Sequence, residues 1–344
     1  MLPGKPEGLL LPGSAERGAE ALQRPVPVQT PLEAARAPHV AGNTAQNTPF
    51  QPHLGHTGDM FLVALLACSP PSTSLMLDVD AGLGDHSCGL DGEGEALCWG
   101  FTTPASSIPD GPFVAVSAGE SHACGLRSSG LVACWGDHPE ITGEPPAVPF
   151  VQIDAGDKFT CGVGRDRRLR CWGYNHKGQR SPPKGAWTQV STGTTHACAL
   201  ATDGAVTCWG ESTSGRTGAL DGPPWPERHF SRIGPYTSVS VGFKHSCALR
   251  PDGSVDCWGS DSFGKTSPPP AERFLQLASG YQYTCGLRTD RTISCWGNGD
   301  KGQLEAPEGT FSAISAGDFH ACALRLDGVP RCWGWNLVGQ ASPP

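Results

Sequence analysis

The stretch Thr195-His-Ala-Cys-Ala-Leu-Ala-Thr-Asp-Gly-Ala-Val-Thr-Cys-Trp-Gly210 reads as a β-hairpin, two alternating arms joined at an Asp-Gly turn. Cys198 and Cys208 are symmetric about Asp203. A three-residue loop, Thr202-Asp203-Gly204, then sets Ala201 opposite Ala205, Leu200 opposite Val206 and Cys198 opposite Cys208. Gly at the third place suits the left-handed residue of such a loop. The 201/205 pair is hydrogen-bonded and pairs alternate, so 198/208 is a non-hydrogen-bonded pair with Cα atoms roughly 4.5 Å apart. A disulfide tolerates that separation, and by chain entropy each short bridge contributes roughly 2–3 kcal/mol. Cys198, Leu200, Val206 and Cys208 share one face by the two-residue period.

The pattern occurs seven times, with nine residues inside each pair: Cys88/Cys98, Cys124/Cys134, Cys161/Cys171, Cys198/Cys208, Cys247/Cys257, Cys285/Cys295 and Cys322/Cys332. A Trp follows every second Cys. Gly fills the third loop place in five repeats; Arg167 and Arg291 replace it and are expected to carry strain of about 1 kcal/mol. Leu90, Leu126, Val163, Leu200, Leu249, Leu287 and Leu324 share the face of the first Cys and are expected in the core. Before each hairpin lies a short apolar strand, an aromatic followed three residues on by an aliphatic, as in Phe113/Val116 and Trp187/Val190; the first repeat has Met76/Val79 instead. A Gly then stands five residues before the first Cys, from Gly119 to Gly317, with Gly82 one place further away in the first repeat.

Successive first Cys lie 36, 37, 37, 49, 38 and 37 residues apart, a period of solenoids and propellers. Three strands are visible per repeat, and the connector has room for a fourth. A unit this small cannot bury both faces, so neighbours must stack. The expected fold is all-β, a seven-bladed β-propeller with one in-blade disulfide per repeat. Gly 46, Pro 32 and only 17% charged residues fit that turn-rich class.

Fifteen Cys make seven pairs plus Cys68, a usage that suits an oxidising compartment. His-x-Cys with a distant Cys also invites a metal. The repeats argue against one, because the His place reads His86, His122, Phe159, His196, His245, Tyr283 and His320 while both Cys persist, and Phe cannot replace a zinc imidazole. No cofactor is expected. Net charge is −8 with no basic block, which disfavours nucleic acid.

Residues 1–59 are Pro-, Ala- and Gly-rich without periodicity, and read as a disordered or mis-assigned extension. Residues 60–74 hold the apolar run Met60-Phe-Leu-Val-Ala-Leu-Leu-Ala-Cys68, too short to span a bilayer but suited to a signal h-region. Leu65-Leu66-Ala67-Cys68 resembles a bacterial lipobox, which would lipidate Cys68. No Lys or Arg lies just before the run and Leu66 is unusual there, so a plain apolar stretch in a tail is the alternative. The seven repeats occupy 75–344.

A Gly recurs six residues after the Trp, at Gly178, Gly215, Gly264, Gly302 and Gly339, with Gln following in three cases. Cys-Trp-Gly-Tyr-Asn-His-Lys-Gly-Gln179, together with His-x-Cys-x-Leu and Asp-Gly-x-Val, resembles the regulator of chromosome condensation repeat family over residues 75–344. The resemblance implies a seven-bladed propeller, and the Cys pairs are similar to those of secreted bacterial members. The family includes a nuclear nucleotide-exchange factor, ubiquitin-ligase modules, a Trp-based ultraviolet receptor and a secreted β-lactamase inhibitor, so it implies no single function.

A non-catalytic, monomeric, extracytoplasmic scaffold that presents rim loops to a protein is the expected function. A glycan-binding propeller is the alternative, followed by a glycosidase or an exchange regulator. The Asp-Gly…Trp pattern differs from a sialidase Asp-box, since Asp203 and Trp209 are six apart rather than five, and no acid–nucleophile pair stands outside the repeat framework. The residue two past each Trp should lie on one rim, giving Phe101, Tyr174 and Trp335. The long connector adds Trp225, Arg228, His229 and Phe230. These seven are the candidate partner-binding residues, because aromatics and Arg dominate interface energies.

Overall fold

The computed structural model describes residues 75–101, 108–136, 144–218 and 230–344. Each repeat folds as an antiparallel sheet from one continuous stretch, blades 1 to 7 being residues 76–100, 115–136, 150–173, 187–232, 238–259, 274–297 and 311–334. The apolar strand lies innermost and the hairpin forms the middle and outer strands.

The hairpin register is the expected one. In blade 4, Leu200 pairs with Val206 and Cys198 with Cys208, and the Ala201 N–H donates to Ala205 at 2.8 Å. All seven disulfides form within blades, Cys88 with Cys98, Cys124 with Cys134, Cys161 with Cys171, Cys198 with Cys208, Cys247 with Cys257, Cys285 with Cys295 and Cys322 with Cys332. Their Cα atoms lie 3.9–4.1 Å apart, nearer than an unbridged pair, because the sulfur link draws the strands together.

The two ends of a bridge share a face but not the same cover, a correction to the sequence pattern. Every first Cys, on a middle strand, is fully buried against the next blade. Cys98, Cys134, Cys171, Cys257, Cys295 and Cys332 are only half-buried, because each stands on the outer strand at the edge of its blade. Cys208 alone among the second Cys is buried, since a further strand places Phe230 opposite it. That strand, Phe230–Arg232, adds outside Val206–Gly210 and is the only fourth strand among the described residues. Arg167 and Arg291 occupy the left-handed place of the loop at φ 60° and 71°.

In blades 3 to 7 the connector also packs back onto the ring, and in most of them it forms a clasp. The residue after the recurrent connector Gly is buried, whether Gln179, Arg216, Lys265, Gln303 or Gln340. The main-chain oxygens of Gln179, Lys265 and Gln303 accept from the indole N–H of the next blade's Trp: Trp209 to Gln179 at 2.8 Å, Trp296 to Lys265 at 2.9 Å, Trp333 to Gln303 at 2.8 Å; that of Arg216 accepts from the Ser246 hydroxyl at 3.0 Å instead. The last clasp, Trp99 to Gln340 at 3.0 Å, joins blade 1 to blade 7 and closes the ring.

The core lies between blades rather than within one. Seven apolar clusters each combine one blade's first Cys and aliphatic with the inner strand of the next, for example Cys161 and Val163 with Trp187 and Val190; Cys322 and Leu324 meet Met76 and Val79 at the closure. Gly82, Gly119, Gly156, Gly193, Gly242, Gly280 and Gly317 form a circle, and a Cβ on any of them would fall 2.1–2.7 Å from the next one's carbonyl oxygen. This close backbone approach explains the seven glycines.

The inner strands leave one edge unpaired, and side chains of the neighbouring blade cover it. Gln152 bonds both the N–H and the C=O of Val190, at 2.8 and 2.9 Å, and Gln276 does the same to Ile314 at 3.1 and 2.9 Å. Asp80 accepts from the Ala118 N–H at 2.8 Å, Ser117 from Ala155 at 2.9 Å, and Ser315 from Ala81 at 3.1 Å across the closure.

Candidate functional site: one rim of the ring

Strand direction sorts the loops onto two faces. Hairpin tips lie on one. The turns between inner and middle strands, and the residues just past each Trp-Gly, lie on the other, joined by main-chain bonds such as Trp335 N–H to Phe319 at 2.9 Å and Tyr174 N–H to Lys158 at 2.8 Å. This second face surrounds the mouth of an axial cavity of about 420 Å³, lined by all seven inner strands.

Three buried carboxylates face that cavity. Burial pushes Asp78 up to about 6 and Asp154 to about 7, and raises Asp80 as well. Their hydrogen bonds give them a structural job: Asp78 accepts from Val116 N–H at 3.1 Å, and Asp154 from the Thr192 hydroxyl at 3.0 Å. They cover sheet edges, as Gln152 does.

The repeat histidines are equally structural. Nε2 of His122, His196, His245 and His320 lies 2.8–2.9 Å from a hydroxyl in the next blade, on Thr160, Ser246, Thr284 and Ser87. In three of these pairs the hydroxyl donates to the connector carbonyl, of Arg216, Lys265 or Gln340. A hydroxyl has one proton, so the imidazole donates from Nε2. Burial lowers His245 and His320 to about 3. Where the His place holds Phe159 or Tyr283, the next blade carries Ala197 or Ala321. The exception is His86, which faces Ala123 and leaves its Nε2 without a partner.

Around the mouth, the turns bring together side chains that the repeat pattern does not specify. On blades 5 to 7 they form an aromatic arc. Phe243 stacks on Tyr281 at 4.0 Å between ring centroids, Tyr281 lies 5.2 Å from Phe319, and Phe319 meets Trp335 edge-on at 5.9 Å. Lys244 Nζ sits 4.9 Å from the Phe243 ring centroid. On blades 7 and 1 to 3 the turns carry Asp318, Asp85, Glu120 and Asp157, with Lys158 paired to Glu120 at 3.5 Å. Burial, then the neighbouring carboxylates, push Asp318 and Asp157 up to about 8. Glu120 is held below its usual range by the hydrogen bond from the Asp157 carboxyl, aided by Lys158.

Of the residues singled out from sequence, Trp335, Phe101 and Tyr174 stand on this face. Phe101 is 70% exposed, Tyr174 contacts His176 at 4.0 Å, and Trp335 packs on Phe319 rather than standing alone. Phe230 lies instead in the outer edge strand of blade 4, opposite Cys208, with its ring over Gly218. Trp225, Arg228, His229 and Cys68 lie outside the described residues. Sequence reasoning missed Phe243, Tyr281 and Phe319. The signal available was variability: one or two places after an otherwise repeated Gly, three repeats turn aromatic.

A ring of seven repeated sheets, closed blade to blade, defines the protein as a β-propeller. The Regulator of chromosome condensation (RCC1) repeat matches residues 113–139, 150–179, 187–216, 236–265, 274–303 and 311–340, more than half of the chain, which therefore belongs to that family. No curated protein sequence matches it. Among solved structures, the chain is similar to the CRINKLY WD40 ectodomain of the Arabidopsis thaliana receptor kinase ACR4, at 26% identity and a TM-score of 0.61 over 79% of this chain and 99% of that one. The ectodomain of the Physcomitrella patens receptor kinase CR4 matches at 26% identity and 0.61 over 75% and 73%. Prp20p from Saccharomyces cerevisiae shares the fold at 16% identity and 0.56, over 77% and 83%.

Proposed function

We propose that the protein is a non-catalytic recognition scaffold that binds a protein partner on the face carrying the Phe243–Tyr281–Phe319–Trp335 arc. The observation that carries this is four contiguous, half-buried rings on a surface whose framework needs none of them. Large aromatic anchors of this kind dominate interface energies. Phe101 and Leu337, 70% and 78% exposed, extend the apolar surface on blades 1 and 7. The arc beside carboxylates also suits stacked sugar rings, so glycan binding is the second reading, and a glycan array separates the two.

Seven in-blade disulfides fit an oxidising, extracytoplasmic setting. We further propose that the protein is of a secreted bacterial type, attached to a membrane through lipidated Cys68; intact mass spectrometry of the membrane-extracted protein tests it, and a mature chain that retains residues 1–59 overturns it.

The test of the recognition face is partner binding by Tyr281→Ala and Phe319→Ala. At least one should weaken binding by about 2 kcal/mol while the melting temperature barely moves. Leu326→Ala on the opposite face should bind normally. If both rim variants bind like the parent, recognition lies elsewhere.

A further inference from the structure

Among the described residues, Lys158 is the cation paired to the acidic half of the rim, through Glu120. Asp318 faces Glu120 and Asp85, and Asp157 faces Glu120, Lys158 and Asp318 across the mouth. Beneath and beside them lie His122, buried, and the Tyr283 hydroxyl, whose one proton goes to the His320 carbonyl at 2.6 Å and so is occupied. Oδ1 of Asp157 and Oδ1 of Asp318 are each buried without a hydrogen-bond partner. A buried acceptor left bare costs free energy that a donor from outside would recover. The two arcs meet on blade 7, where Asp318 and Phe319 are consecutive and the Tyr281 N–H donates to the Asp318 carbonyl at 3.3 Å. Among the described residues no three His, Cys, Asp or Glu side chains are gathered closely enough to hold a metal ion. The spacing therefore suits a broader donor group that reaches several carboxylates and an aromatic face together, which is what a guanidinium or ammonium does.

We propose that the channel mouth receives the cationic side chain, Arg or Lys, of the partner polypeptide, held between Asp318, Asp157 and Glu120 with Phe319 against its flank. This rests on the recognition face argued above and names the group it reads. Because Asp157 and Asp318 hold protons up to about pH 8, an arriving cation must displace a proton. Binding is then weak at pH 6, strengthens as pH rises through about 8, and releases a proton to solvent.

The test uses the full chain and four blocked pentapeptides, Trp-Gly-Xaa-Gly-Trp, in which Xaa is Arg, Lys, citrulline or norleucine. Titration calorimetry at pH 6 and pH 9, in buffers of different ionisation enthalpy, reads affinity and proton release. The Arg and Lys peptides should bind about tenfold tighter than the other two at pH 9 and lose most of that advantage at pH 6. Asp157→Asn/Asp318→Asn should erase the preference while keeping the citrulline and norleucine affinities, and Glu120→Gln, on an exposed side chain, should reduce it. Equal binding of all four peptides, abolished by Phe319→Ala, would overturn the cation site and leave the recognition face standing. Binding of none would overturn the cation site and leave the face to the partner test above. Calcium chloride alone displacing the Arg peptide at millimolar concentration would also overturn it, in favour of a metal.

Discussion

His196 and Ser246 show how single residues hold this ring. Each belongs to a different blade, and the pair is useful only when the blades meet. Ser246→Ala leaves the imidazole Nε2–H and the Arg216 carbonyl bare, and should cost about 1–3 kcal/mol in chemical denaturation. The orphaned His86 invites the reverse experiment: Ala123→Ser supplies the missing hydroxyl and should stabilise by up to about 1 kcal/mol. Titration pulls in two directions. An unfolded imidazole protonates below about 6.5, whereas His86 and His122 fold with values near 4 and His245 and His320 near 3, so stability is lost as pH falls from about 6.5. Asp78 and Asp154 fold with values near 6 and 7, above 3.8, so they favour folding least at high pH, and stability is lost as pH rises from about 4 through those values. The two windows overlap between about pH 4 and 6.5, and melting temperature should peak where the opposing slopes cancel. Asp154→Asn should raise it at pH 8 and leave it nearly unchanged at pH 4, because Asn can still accept from Thr192.

The hairpin is the element that sequence describes best. Its register follows from two equidistant Cys and a short loop, both local, and repetition states it seven times over. Arg291→Gly should stabilise by up to about 1 kcal/mol, since it relieves a left-handed residue at φ 71°. Removing one bridge, Cys198→Ser with Cys208→Ser, should cost about 2–3 kcal/mol yet leave the ring folded, which near-ultraviolet circular dichroism would show. Hairpin periodicity gives the shared face of a Cys pair but not the unequal cover of its two ends, because that depends on which strand lies at the blade's edge. What the sequence hid are contacts between residues about one repeat apart. Gln340 reads as a family motif, but its burial and its bond to Trp99 depend on closure of the ring. The aromatic arc was invisible for the same reason. Phe243 and Tyr281 sit where other blades have Glu120, Asp157, Thr194 or Asp318, and Phe319 where others have Ser121, Lys158 or Lys244, so no period marks them. Trp335 and Phe101 were legible because a fixed offset from Trp places them on the rim.

At the scale of the whole molecule, closure among the described residues is by side chains and main-chain contact. The final connector supplies the last clasp, where Gln340 accepts from both Trp99 and Ser87. Truncation after Trp335 removes it and should lower stability by about 2–4 kcal/mol, since the buried Ser87 hydroxyl and the half-buried Trp99 indole lose their acceptor; a scanning calorimeter reads the change. Gly193→Ala should cost about 1–3 kcal/mol, because its methyl would meet the Gly242 oxygen at 2.4 Å and force two blades apart. Among the described residues the sheets share no strand, and each blade's strands follow one another along the chain. Ring size is then a property of the blade-to-blade angle and not of the order in which blades are strung. Duplication of a whole repeat would bring its own His, clasp and glycine, and circular permutation at a connector would encode the same ring from a different starting blade. The linear order of the gene is free to drift while the circular order of neighbours, and with it the pairing of acidic and aromatic arcs across blade 7, is kept.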